Sequence, residues 1–126
     1  MTTVLLVDDD PLQARVRKSA LGRHFPAIQR AGDVAEAFIL VEDRAFAQQL
    51  GLVIVCLSRP GLGSPAFVTE LTSRLPSVPV LVLGSAREEA AFYQGANVRF
   101  LPRTAPADQL VSLSSKMVRQ FSARVA

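Results

Sequence analysis

A single cysteine, Cys56, and a single histidine, His24, stand among the 126 residues of this chain. One thiol cannot build an internal disulfide framework. His24 has no companion residues that would make it a ligand or a base, so no role attaches to it. Aromatic residues are sparse, at 6%. None interleaves with the basic run Arg15, Arg17, Lys18, Arg23 and His24, so the run reads as a solvated helix face and not as a nucleic-acid patch, which would offer rings for base stacking. The apolar runs are far too short to span a bilayer, and the chain enters a strand directly after Met1-Thr2-Thr3, without a charged and then apolar leader. These absences predict a cytoplasmic, reduced protein with no membrane partner. Repeats, low-complexity segments and linkers are missing too. A net charge of +3, from 14 basic and 11 acidic residues, is mildly basic and not polybasic.

What is present suits one compact domain, 1–126. Hydrophobic residues make up 49% of the chain, and the length lies near the commonest domain size. Strand and helix patterns alternate throughout, as in a parallel sheet covered by helices. A strand is predicted over about 3–8, followed by a helix with Pro11 in its first turn, Leu12, Val16, Ala20 and Leu21 at helical spacing, and an end near Gly22. A weak strand over 27–31 precedes Asp33, a good N-cap for a helix over 34–48 with Phe38, Val41 and Ala45 inward. The almost continuously apolar 52–57 reads as a strand buried on both faces. A Pro-Gly loop over 58–64 leads to a helix with Phe67, Val68, Leu71 and Leu75, stopped by Pro76. A strand over 78–83, a short helix over about 87–94 ended by Gly95, a strand over 98–101 and a last helix from about Pro106 complete the chain. That last helix turns Leu110, Leu113, Met117, Val118 and Phe121 inward, and Thr104 is a candidate cap for it. Five such units predict an α/β, flavodoxin-like doubly wound sheet with strand order 2-1-3-4-5.

The chemistry concentrates at the end of the first strand, where Asp8, Asp9 and Asp10 follow Val4-Leu5-Leu6-Val7 and precede Pro11. In open α/β sheets ligands bind outside the carboxyl ends of the strands, and adjacent carboxylates there repel unless a cation neutralises them. Asp10 reads as the cap of the first helix. Asp8 and Asp9 are the candidate metal or anchor residues.

With this acidic pair, a Pro-Gly loop after strand three, a small hydroxyl residue after strand four and Leu101-Pro102-Arg103-Thr104 after strand five, the chain resembles the receiver (CheY-like) domain of two-component response regulators over its whole length. The resemblance implies Mg²⁺ at the acidic pair, a phosphoryl-accepting Asp at the end of strand three, and a Thr or Ser and a Lys contacting the phosphate. Such groups suit phosphoryl transfer because a carboxylate nucleophile needs a divalent ion, and the equatorial oxygens need fixed cationic and hydroxyl partners. The same alignment puts Cys56 at the acceptor position, and no Asp or Glu lies between Asp43 and Glu70. Arg103 replaces the lysine, and an arginine there is expected to neutralise Asp8 and Asp9 permanently. The hydroxyl position falls on Gly84 or, with a one-residue shift, on Ser85, which is preferred. Phe100 sits where receivers carry an aromatic or apolar switch residue, although a Phe on a strand is more often core.

These departures imply a degenerate, or pseudo-, receiver. It would be a phosphorylation-independent interaction module in phosphorelay signalling, and not an enzyme, since no nucleophile, base and oxyanion site come together. No cofactor is required, and losing one carboxylate leaves at most weak Mg²⁺ binding. Its partner would be a histidine kinase, an output domain or another signalling protein, docked through the short helix 87–94, strand five and the last helix, or a second copy of the chain. Nucleic acid would be reached only through a domain not present here. Two alternatives stay open: a thiol redox or metal sensor triggered by Cys56, and the N-terminal regulatory domain of a DNA-binding regulator.

Overall fold

The computed structural model describes residues 2–57, 64–85 and 97–125, with the side chains of residues 64 and 122–125 not among them. Five parallel strands form the sheet: β1 (Thr3–Asp8), β2 (Ala27–Ala31), β3 (Leu50–Cys56), β4 (Val80–Gly84) and β5 (Val98–Pro102), in the order β2-β1-β3-β4-β5. The helices are α1 (Pro11–Leu21), α2 (Val34–Glu42), α3 (Arg44–Gln49), α4 (Ser64–Arg74) and α5 (Ala107–Val125). This is the strand order and doubly wound class that the alternating patterns predict. The predicted short helix over 87–94 lies outside the described residues.

Side chains alternate across a strand with a period of two, and the sheet divides its core accordingly. Val4, Leu6, Leu52, Ile54 and Leu81 pack beneath α1 and α5, with Leu21, Leu110 and Met117. Leu5, Val7, Val53, Val55 and Val82 pack beneath α2 and α4, with Val41, Phe67 and Leu71. Phe38 is only partly buried and meets Phe67 edge to face, the ring centroids 5.0 Å apart. Phe100 is half-buried against the same side of the core.

Two helices depart from the predicted pattern. The helix expected over 34–48 breaks at Asp43, whose extended backbone ends α2 and whose carboxylate accepts the Ala45 and Phe46 N–H groups as the cap of α3. That break leaves Ala45 exposed and half-buries Phe46 instead. In α1 the inward stripe is Ala14, Arg17 and Leu21, whereas Leu12 and Val16 are 66% and 52% exposed. The helix is rotated so that an arginine, and not the apolar stripe at 12 and 16, faces the sheet. The caps of the two longer N-terminal helices fall as predicted: Asp10 accepts from Leu12 and Gln13, and Asp33 accepts from Glu36. Thr104, the candidate cap, lies exposed in the turn that precedes α5, which begins at Ala107.

Candidate functional site

The carboxyl ends of β1, β3, β4 and β5 converge on one edge of the sheet. The β1–β3 register sets Asp8 opposite Cys56, and directly opposed residues of neighbouring strands share a face. That face is the one covered by α1 and α5, so both side chains lie beneath these helices. Asp8 is completely buried and Cys56 is 3% exposed.

A carboxylate with no access to water must find its partners inside the fold. For Asp8 the partner is Arg17, whose Nη1 donates to Oδ2 at 2.6 Å from an almost equally buried position. The other oxygen, Oδ1, accepts the Asp10 N–H at 3.0 Å. A second arginine, Arg30 on β2, donates from Nε and Nη2 to the Asp8 carbonyl at 3.1 and 2.9 Å. The strand end is thus gripped through both its side chain and its backbone.

Arg103, expected to neutralise the acidic pair, does something else. Its Nη2 donates to the Leu57 carbonyl, and its N–H donates to the Gly84 carbonyl at 2.7 Å. It ties the exits of β3, β4 and β5 together, while the cation beside Asp8 comes from α1. The physical reason is position: Arg17 lies one helix layer above the sheet on the very face that Asp8 occupies, whereas Arg103 follows β5, three strands away from β1. Between Arg17 and Arg103 lies a small cavity of about 90 Å³, walled by Gln13, Leu83, Leu101 and Leu110.

Asp9 is half-buried, Ser85 is exposed just beyond β4, and Gly84 is buried as the last residue of that strand. Arg17 and Arg30 were not anticipated as site residues. The only signal for Arg17 was its spacing, three residues after Ala14 and four before Leu21, on a stripe that is otherwise buried. Arg30 carried none.

Burial pushes the Cys56 thiol above its ordinary value of 9.0; Arg17 opposes the shift, Asp8 adds to it, Arg103 opposes and Asp9 adds. The thiolate is the reactive form, so this site suppresses it. Alkylation of Cys56 by iodoacetamide at pH 7 is expected to run on the order of 100-fold slower than in the urea-unfolded chain, because it must wait for opening. A raised pKa favours folding while the thiol is protonated, and that contribution is lost as pH rises past the unfolded value near 9.0. Equal rates in the folded and unfolded chain at pH 7 would show a reactive thiol.

The acidic pair as built does not fit Mg²⁺. A hard dication wants several free oxygen ligands. Both Asp8 oxygens are engaged, a guanidinium already stands 2.6 Å from one of them, and Cys56 would offer soft sulfur. Among the described residues no group of three or more His, Cys, Asp or Glu is placed to hold a metal ion.

No protein-family model matches the chain, and no curated protein matches it. Solved structures do. A response regulator receiver domain protein from Clostridium thermocellum superposes with a TM-score of 0.82 at 16% identity over 98% of both chains. The chain has the receiver fold. A second receiver domain protein, described as CheY-like, from Methanospirillum hungatei reaches a TM-score of 0.84 at 13% identity over 98% of both chains. The signal receiver domain of a signal transduction histidine kinase from Syntrophus aciditrophicus reaches 0.78 at 20% identity, covering 95% of this chain and 92% of that one. At such identities the likeness is one of receiver fold alone. Within that fold the buried Asp8–Arg17 pair is a property of this chain's own residues. No helix among the described residues is long and apolar enough to cross a membrane.

Proposed function

We propose that this chain is a single receiver-type signalling domain, 1–126, of the two-component class that works without phosphorylation and without metal. The observation that carries the reading is the buried Asp8–Arg17 ion pair beside Cys56. A receiver acceptor site needs an ionisable carboxylate on β3 and a divalent ion on the β1 acids. Cys56 supplies neither nucleophilic carboxylate nor hard ligand, and Arg17 supplies internally the positive charge that a metal would bring.

In this reading the strand-end pocket is a structural latch. Asp8, Arg17 and Arg30 hold the β1 end, Arg103 holds the ends of β3 and β4, and the domain is kept in one state in which it docks a protein partner. The partner belongs to the same signalling class, a histidine kinase or an output domain, and the protein works in the cytoplasm as a binding module with no catalytic turnover. Ser85 and Phe100 are then remnants of a phosphate pocket and of a switch position.

The test is direct. Incubation of the folded protein with acetyl phosphate and millimolar Mg²⁺ is expected to leave its intact mass unchanged and its melting temperature unshifted. An added phosphoryl group that survives on the folded domain, or a clear Mg²⁺-dependent rise in melting temperature, would falsify the reading.

A further inference from the structure

Away from the strand ends, α1 and α5 leave an open groove of about 590 Å³ between them. Its α5 wall is the stripe Asp108, Ser112, Ser115 and Arg119, at spacings of four, three and four residues that keep the four on one face of the helix. The other wall is Ala20, Arg23 and His24, where α1 ends. Arg23, His24 and Arg119 are exposed, and none of them makes an ion pair or a side-chain hydrogen bond among the described residues. The end of α1 does not need them. Its last carbonyls are met by backbone N–H groups, with Gly22 donating to Lys18 and with His24 and Phe25 donating to Leu21. Among the described residues the groove therefore holds two guanidiniums without an ion-pair partner and an imidazole against one carboxylate, with hydroxyl donors and the apolar surface of Ala20 and Val111 between them.

We propose that this groove docks an acidic, amphipathic peptide segment of a protein partner. Charge complementarity selects the acidic character: carboxylates along such a segment meet Arg23 and Arg119 from opposite walls, and the Ser112 and Ser115 hydroxyls supply further donors. The apolar strip selects a peptide over a free oxyanion, which would leave Ala20 and Val111 uncovered. A nucleic acid strand fits less well, because among the described residues no aromatic side chain lines the groove for stacking and Asp108 opposes a phosphate backbone. None of Asp8, Arg17, Arg30, Cys56 and Arg103 lines this groove, so the proposal stands or falls separately from the phosphorylation-independent reading.

The probe is a fluorescein-labelled peptide of sixteen residues composed of glutamate and leucine in helical alternation, with a glutamine-for-glutamate version and an oligothymidine as competitors. Titrated into ¹⁵N-labelled protein at low salt, the acidic peptide is expected to shift the amides of Ala20, Ser112 and Ser115. The double variant Arg23→Glu/Arg119→Glu is expected to weaken binding at least about tenfold, and Arg44→Glu, an exposed charge on α3, by less than about twofold. All substituted positions are exposed, and circular dichroism verifies the fold of each variant. The proposal is overturned if the acidic peptide does not bind, if Arg44→Glu costs as much as the double variant, if the glutamine peptide binds equally well, if oligothymidine displaces the peptide at lower concentration, or if the shifted amides lie off α1 and α5.

Discussion

Replacing Arg17 by methionine is expected to lower the unfolding free energy by about 3–5 kcal/mol in urea titration. That is a large part of the roughly 5–15 kcal/mol by which a domain of this kind is stable. Methionine fills much of the same space, so packing is not the main loss. What is left behind is a carboxylate with 0% exposure and no ion-pair partner on its oxygens, and an uncompensated buried charge is among the few point defects of that size. The cycle with Asp8→Asn separates this from ordinary core damage. Asparagine keeps an acceptor for the Asp10 N–H while removing the charge, so Asp8→Asn/Arg17→Met should recover about half of the loss or more, with a coupling of about 2 kcal/mol. A loss below about 1 kcal/mol for Arg17→Met would place the pair with exposed salt bridges, which are worth that little, and would remove the latch from the account.

Cys56→Asp is the second large effect. It restores the acceptor type that the receiver resemblance implies, yet here it is expected to destabilise the domain by about 3 kcal/mol or more at pH 7, because a new carboxylate is placed at a 3% exposed position opposite Asp8. Arg17 cannot neutralise two acids at once. Millimolar Mg²⁺ should not rescue the single variant, since the guanidinium blocks the approach to Asp8. In Cys56→Asp/Arg17→Leu the three carboxylates of Asp8, Asp9 and residue 56 lose the built-in cation, and Mg²⁺ should then raise the melting temperature by several degrees, a shift of about 4 °C corresponding to each kcal/mol gained at this size. Rescue of the single variant by Mg²⁺ would mean that Arg17 does not stand in the way. No rescue of the double variant would mean that the acids do not converge once the arginine is gone.

Both results turn on one side chain that reads, in the sequence, as a solvated charge. Arg17 sits within a basic run on a short helix, and the apolar residues that announce the inward face, Leu12 and Val16, are the ones that end up in water. Their helical spacing is satisfied on either side of α1. Which side packs against the sheet is decided by the ion pair that only the sheet can supply. The split of the predicted 34–48 helix at Asp43 is a milder case: Asp43 caps a new helix because its backbone is extended there, and its neighbours are equally compatible with an unbroken one.

Strand order, the helix caps at Asp10 and Asp33, and the position of the acidic cluster at a strand end were already legible in the amino-acid string, because each rests on local spacing or on the period of a buried strand. The partner of Asp8 was not. A carboxylate selects its counter-ion by proximity in three dimensions, where Arg17 at 2.6 Å, brought over β1 by the turn of α1, prevails over Arg103, which the fold sends to the Leu57 carbonyl instead.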